Sequence, residues 1–201
     1  MKLFIFEIIF IFLSTCVTMA QDGRKTENKL MPSQFKIQYA GSMGLISEGV
    51  GWNYGKKDNW ETDFIIGYIP KYTTDNAKVC ITVKESFIPW KVPLKNNNFC
   101  FEPLTSSVYF TTVFGEEFWA KEPNKYPQAY YGFSTKIRFN ISVGQRIVYK
   151  NTARMKMKIK SISAFYEISS NDLYIISAVS NSNLTPIDYL HLSLGMGFRW
   201  N

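Results

Sequence analysis

The carboxyl-terminal segment, residues 189–201, constrains the fold more than any other part of the sequence. Large apolar side chains occupy alternate positions in it: Leu190, Leu192, Leu194, Met196, Phe198 and Trp200. Polar or small residues occupy the positions between them: Tyr189, His191, Ser193, Gly195, Gly197, Arg199 and Asn201. This period of two predicts a β-strand with one apolar face and one polar face. An unbroken apolar row at the chain end is typical of a transmembrane β-strand, because lipid covers that row.

The amino-terminal residues predict export from the cytoplasm. Lys2 precedes an apolar run, residues 3–13, that only Glu7 interrupts, and small residues then lead to Ala20. This arrangement predicts a secretory signal peptide over residues 1–20, with cleavage before Gln21. A membrane anchor is one alternative, but a run of about eleven residues is shorter than the roughly 20 that cross a bilayer. A lipoprotein cleavage box at residues 13–16 is another, although a threonine before the cysteine fits it poorly.

The same alternation recurs along the rest of the chain. The alternating segments are residues 35–39, 50–54, 60–68, 79–83, 108–114, 131–143, 162–168 and 173–179. With the terminal strand they make nine, whereas a single-chain bacterial barrel normally has an even number. Residues 130–149, which contain Gly144, would give ten strands if they form two. The first two segments would leave eight if they merge around residues 41–44.

The chemistry of the two faces separates a membrane barrel from a soluble sandwich. A sandwich buries its apolar faces inward, whereas a small membrane barrel turns them outward and fills its interior with polar groups. Here the polar faces carry charges of both signs and many glycines and serines, and aromatic residues make up 16% of the chain. We therefore predict an all-β, antiparallel transmembrane outer-membrane barrel of eight, or ten, strands with almost no helix. It would comprise residues 34–201, after a flexible lead-in at 21–33.

Charged residues on the polar faces predict an ionic network in the barrel interior, comprising Lys136, Arg138, Glu167 and Arg199. The net charge is +7, but the basic residues are scattered rather than clustered. We therefore expect contact with outer-membrane lipid and lipopolysaccharide and not with nucleic acid. Side chains fill a barrel of this size, so a wide pore is not expected. The sequence has no metal-ligand cluster or phosphate loop, and we predict no metal and no cofactor.

Two cysteines remain after the signal peptide is removed, Cys80 and Cys100. An exported protein meets oxidising conditions, which favours a disulfide between them. Such a bond would close a loop of about 20 residues and stabilise the fold by about 3 kcal/mol. The alternative is a pair of unbonded, buried thiols.

The strongest sign of catalysis is the tripeptide His191-Leu192-Ser193. Because residues two apart on a strand share a face, His191 could act as a base beside the Ser193 hydroxyl. The pair resembles the His-x-Ser pair of outer-membrane lipid A deacylases, in which an acidic residue orients the histidine. Glu167 on a preceding strand is the candidate for that role. The pair falls on the predicted interior face, whereas a lipid substrate would approach from outside, so we interpret it as an interior polar network.

Two aromatic segments between strands suit contact with a partner. Residues 115–130 combine charges and two prolines with the aromatic residues Phe118, Trp119, Tyr126 and Tyr130. Residues 87–92 include Phe87 and Trp90 and lie between the cysteines. Aromatic side chains provide contact area at low entropic cost, so both segments are predicted partner-contact loops. The alternative for residues 115–130 is a structured loop that packs over the mouth of the barrel.

The signal ending at Ala20, the alternating segments and the terminal sequence LSLGMGFRW resemble the small outer-membrane β-barrel proteins of Bacteroidota-type bacteria. Some members of that group are accessory subunits of large envelope machines for export or barrel assembly. The resemblance implies a non-enzymatic barrel in the bacterial outer membrane that is a structural or interaction subunit, with other outer-membrane or periplasmic proteins as partners. A lipid-modifying enzyme and a narrow transport channel are the alternatives.

Overall fold

The computed structural model describes residues 31–71, 76–94, 98–115, 137–151, 159–180 and 185–200, without the side chains of 177–180. Nine strands and two helices form in these ranges. The strands are β1 (Gln34–Ala40), β2 (Ile46–Tyr54), β3 (Trp60–Ile69), β4 (Lys78–Phe87), β5 (Val92–Pro93), β6 (Phe99–Phe114), β7 (Ile137–Lys150), β8 (Ser161–Asn171) and β9 (His191–Arg199). The helices are α1 (Asp172–Ser180) and α2 (Pro186–Tyr189). None of the helices in the described ranges is long and apolar enough to cross a membrane.

Eight of the strands close into an antiparallel barrel. Each strand pairs with its neighbour in the order β1, β2, β3, β4, β6, β7, β8, β9, and β9 pairs with β1 to close the ring. At the seam, Gln34 is opposite Arg199 and Ala40 is opposite Ser193. The short strand β5 pairs with the start of β6 and lies outside the ring. The predicted antiparallel barrel is therefore confirmed, with eight strands.

The miscounted segment was residues 173–179, which form most of helix α1 and not a strand. Their apolar side chains fit a helix as well as a strand, and the residues before them decide between the two. The Asn171 side chain accepts a hydrogen bond from the Tyr174 backbone N–H at 2.9 Å, as a helix N-cap does. Asp172 adds an acidic residue to the first turn. The prediction of a strand at residues 173–179 was therefore wrong.

The two other ways of correcting the strand count were also wrong. β7 runs through Gly144 to Lys150 as one strand, because Gly144 fits against the backbone of Tyr166 on β8. β1 and β2 stay separate strands, joined by the turn at residues 41–45. Residues 131–136 of the predicted sixth segment lie outside the described ranges.

Apolar side chains face outward and polar side chains face inward around the ring. On β9, Leu192, Leu194 and Met196 are 56%, 54% and 45% exposed, whereas Ser193 is buried. The same alternation holds on β3, where Phe64 and Ile66 are exposed and Asp63 is buried. The predicted faces of the terminal strand, apolar outward and polar inward, are confirmed.

Connections at the two ends of the barrel differ in length. The end where β1 begins and β9 ends, here called the terminal end, has the connections 55–59, 88–98 and 151–160. The opposite end, here called the loop end, has the connections 41–45, 70–77, 115–136 and 172–190. The two longest connections are therefore both at the loop end.

Residues just before β1 are fixed to the barrel. The Ser33 backbone N–H donates to the Gly51 carbonyl at 2.8 Å, and Trp200 Nε1 donates to the Pro32 carbonyl at 2.9 Å. Pro32 and Ser33 are therefore held in place, although they belong to the predicted flexible lead-in. The predicted signal peptide and the rest of the predicted lead-in up to residue 30 lie outside the described ranges.

Candidate functional site

A fully buried carboxylate, Glu61, organises the barrel interior at the terminal end. Its side chain is 0% exposed and accepts hydrogen bonds from three cationic side chains. Arg146 binds both carboxylate oxygens, at 2.7 and 3.0 Å, in the bidentate geometry that favours Arg over Lys. Lys36 Nζ and Arg199 Nη2 each lie 2.8 Å from a carboxylate oxygen. One carboxylate therefore connects four strands: β1, β3, β7 and β9.

Two more carboxylates balance the charge around Glu61. Asp63 accepts from Lys36 Nζ at 2.6 Å and from the Gln34 amide at 2.9 Å. Glu102 on β6 lies 3.4 Å from Arg146 Nε. The cluster thus combines three cations with three carboxylates, which offsets the cost of removing the ions from water. We call these six residues the lumen ion cluster: Lys36, Glu61, Asp63, Glu102, Arg146 and Arg199.

Separate ion pairs occupy the rest of the interior. Lys84 on β4 pairs with Glu167 on β8 across the barrel, and both side chains are buried. Nearer the loop end, Arg138 lies 3.7 Å from Asp172 at the start of α1. Three of the residues predicted to form an interior network, Arg138, Glu167 and Arg199, are therefore ion-paired there, and Lys136 lies outside the described ranges.

The predicted interior network contained only Arg199 of the lumen ion cluster, and Arg146 and Glu102 lie outside the predicted alternating segments. Arg146 continues the alternation of β7 two residues beyond Gly144, where the predicted segment had already ended. Glu102 precedes an irregularity in the β6–β7 register, between Glu102 and Thr105, which breaks the alternation. Arg146 could have been predicted by extending the alternation of β7 past Gly144.

Buried apolar side chains lie near both ends of the barrel. At the loop end, the turn at 41–45 folds inward, with Gly41 and Gly44 at φ values of +84° and +101°. This places Met43, only 1% exposed, against the buried side chains of Ile65 and Tyr109. At the terminal end, Ile88 is 0% exposed, and its N–H donates to the Asn59 carbonyl at 2.8 Å.

Gly67 makes room for the inward turn. A Cβ at this position would lie 1.8 Å from the Met43 carbonyl oxygen and 2.7 Å from Cys80 Sγ. We expect Gly67→Ala to destabilise the barrel by about 1–3 kcal/mol, because backbone must move to admit the methyl group. Urea unfolding of the refolded barrel would measure this.

Gly197→Ala is the matched control for Gly67→Ala. A Cβ at Gly197 would lie 2.6 Å from Ser163 Oγ, which is a side-chain atom that can rotate away. We expect a clearly smaller loss for this variant. Equal losses for the two glycines would contradict the role assigned to the inward turn.

The predicted disulfide between Cys80 and Cys100 is not formed. Both residues carry free, buried thiols, and Cys80 Sγ donates to the Met43 carbonyl at 3.0 Å. Cys80 is opposite Val113, so thirteen residues of β6 separate it from the level of Cys100. At about 3.3 Å per residue the two levels are roughly 40 Å apart, far beyond the reach of a disulfide.

His191 and Ser193 do not form a catalytic pair in this structure. Ser193 Oγ donates to the Glu167 backbone carbonyl at 3.4 Å, and the Glu167 carboxylate pairs with Lys84. The His191 ring packs near the Tyr174 ring, with centroids 5.2 Å apart. Among the described residues, His191 makes no hydrogen bond to Ser193 or Glu167. Neither an activated hydroxyl nor an oriented histidine results.

The two predicted partner-contact loops lie at opposite ends of the barrel. Phe87 packs against Trp60 at the terminal end, with tilted rings whose centroids are 4.7 Å apart. The 115–136 connection begins at the loop end, and Phe118, Trp119, Tyr126 and Tyr130 lie outside the described ranges.

An open pocket of about 290 Å³ beside Trp90 is lined by Lys57, Asn59, Pro89, Trp90, Lys91 and Val92. Lys91 Nζ donates to the backbone carbonyls of Lys57 and Asp58 at 2.9 and 2.8 Å. Partial burial lowers the pKa of Lys91 from its ordinary value. The lysine is thus used to fix the connection 55–59 to the connection 88–98.

Two carboxylates of the described strands face outward, and neither was predicted from the sequence. Glu85 on β4 accepts hydrogen bonds from the Tyr54 and Thr62 hydroxyls, the latter at 2.5 Å. Glu48 on β2 lies on the same outward face as Ile46 and Val50. It has no hydrogen-bond or ion-pair partner among the residues that the structure describes.

The described residues contain no group of three or more His, Cys, Asp or Glu side chains that could hold a metal ion. No protein-family model, curated protein or solved structure matches this chain. The function therefore has to be inferred from the barrel itself.

Proposed function

We propose that this protein is a non-enzymatic β-barrel of the bacterial outer membrane and a structural or interaction subunit of a membrane protein complex. The observation that carries the proposal is the inverted distribution of polarity. Large apolar side chains face outward around the ring, and ionised groups fill the interior. Lipid can cover such an outer face, whereas water would leave it unfavourably exposed.

The filled interior favours this function over a transport channel. The lumen ion cluster crosses the interior near one end, and the buried apolar side chains of Met43 and Ile88 lie near the two ends. A void of about 10 Å³ beside Arg146 and Arg199 has room for about one water molecule. A solute would have to displace paired charges as well as apolar side chains.

The arrangement around His191 and Ser193 does not favour a lipid-modifying enzyme. A lipid substrate reaches the outer face, whereas Ser193 is buried on the inner face. Partners of the proposed subunit are outer-membrane lipid, lipopolysaccharide, and outer-membrane or periplasmic proteins of an export or barrel-assembly machine. The resemblance to small barrels of Bacteroidota-type bacteria supports the same function and stays a prediction.

Purification from native membranes tests the proposal. The full-length chain, tagged at one end, would be extracted in mild detergent and separated by size. We expect it to co-elute with at least one other envelope protein in an assembly larger than the monomer. An unrelated small outer-membrane barrel with the same tag is the control. A monodisperse monomer with no specific companion would contradict the proposed function.

A further inference from the structure

Glu48 is surrounded by apolar and aromatic side chains on the outer face of the barrel. It is directly opposite Ile37 on β1 and Ile66 on β3. Ile46 and Val50 are the neighbouring outward residues on its own strand. The carboxylate is half-buried among these apolar side chains, which offer it no hydrogen-bond donor.

A row of large side chains separates Glu48 from the loop end. Tyr39, Ile46 and Tyr68 are opposite one another across β1, β2 and β3. The row is two residues from Glu48, or about 7 Å along the strand. Glu48 therefore lies one row inside the loop-end rim of the apolar band. A cationic lipid headgroup would have to pass the row to reach the carboxylate.

Charges on the outer face have one sign. In the described strands, every lysine and arginine occupies an inward-facing position of the alternation: Lys36, Lys78, Lys84, Arg138, Arg146, Lys150 and Arg199. The outward-facing charged residues of these strands are Glu48 and Glu85. Glu85 is bonded to Tyr54 and Thr62, which leaves Glu48 as the outward carboxylate that needs a donor.

A second copy of the chain is poorly suited to supply that donor. Two copies that met through this wall would place a carboxylate against apolar groups or against another carboxylate. Like charges in contact are unfavourable and select against such pairing. The complementary surface is one that brings a cation into the apolar band.

We propose that the outer wall of β1, β2 and β3 around Glu48 is a docking surface within the membrane for a different protein. That partner presents a lysine or arginine from a transmembrane segment to the Glu48 carboxylate, with apolar side chains around it. This inference rests on the proposed function, because it specifies where the complex forms and which chemistry holds it.

Photocrosslinking in native membranes tests the docking surface. A benzophenone amino acid would replace Ile66, which is 38% exposed beside Glu48, in the full-length chain. The matched control is Ile141 on β7, outward-facing and 42% exposed on a different wall. We expect a specific adduct with one other membrane protein from position 66 and none from position 141.

Substitutions at Glu48 test the charge requirement with the probe at position 66. We expect Glu48→Asp to keep the adduct and Glu48→Lys to lower its yield by about tenfold or more, since like charges would meet. Glu48→Leu should also lose the adduct while the barrel folds at least as well, because an apolar residue suits a lipid-facing position. Heat-modifiable migration on gels reports folding separately. Glu85→Gln is the control and should change nothing.

Several outcomes would overturn the inference. These are an adduct with a second copy, adducts with lipid alone, equal adducts from positions 66 and 141, or an adduct yield that does not depend on the charge at position 48. If the chain still co-purifies with a companion protein while position 66 gives no adduct, the docking surface is wrong and the proposed function stands. If no companion is found by either method, the proposed function itself fails.

Discussion

Replacing Glu61 by alanine is expected to destabilise the barrel by about 3–5 kcal/mol, because it leaves buried cations without their counterion. Arg146, Lys36 and Arg199 all donate to this carboxylate, and the buried side chains of Arg146 and Lys36 cannot reach water without opening the barrel. Urea unfolding of the barrel refolded in lipid bilayers, followed by tryptophan fluorescence, would measure the loss.

The matched control for Glu61→Ala is Glu85→Gln on the outer face. Glu85 keeps hydroxyl partners after this change, since an amide oxygen still accepts from Tyr54 and Thr62. We expect a change below about 1 kcal/mol, within the range of ordinary surface substitutions. A loss of that small size for Glu61→Ala as well would show that the lumen ion cluster is not what holds these strands together.

Replacing Leu194 by arginine should destabilise the barrel in bilayers by about 2–4 kcal/mol if its outer face contacts lipid. Leu194 lies midway along β9 and is 54% exposed. The guanidinium would then face the hydrocarbon region with no partner. The measurement is the same unfolding equilibrium in bilayers, compared with that of the unchanged chain.

Leu190→Arg provides the control for depth. Leu190 lies just before β9, where the barrel meets the loop end, so a long arginine side chain can reach polar surroundings. We expect a loss of about 0–1 kcal/mol there. If Leu194→Arg were as harmless as Leu190→Arg, or if it made the protein more soluble without detergent, the outer face would not be a lipid face.

The barrel could be predicted because its alternation is local and strong. On β9 each apolar residue is followed by a polar or small one, so the direction of every side chain follows from the period alone. For the segment 173–179 the period alone did not give the correct secondary structure. Its apolar residues suit either a strand or a helix, and the capping hydrogen bond from Tyr174 to Asn171 selects the helix.

Contacts between distant strands could not be predicted in the same way. Cys80 and Cys100 are near in sequence, yet the pairing of β4 with β6 puts them at different levels of the barrel. Register also decides that Arg146 meets Glu61 across the interior, a contact between residues 85 positions apart. Sequence spacing gives the face of each side chain but not its height relative to other strands.

The seam between β1 and β9 joins the first and last strands of the barrel, with Gln34 and Arg199 separated by 165 positions. Each of these two strands has one edge whose backbone hydrogen bonds stay unpaired until the other strand is present. That requires nearly the whole chain to be in place. Before that moment both edges are open to pairing with other chains, which promotes aggregation. Pairing of strands so far apart in sequence is intrinsically slow, because the chain loses conformational entropy before the stabilising contacts between the strands form. The order of the strands therefore requires the unfolded chain to be protected from such pairing until the ring closes.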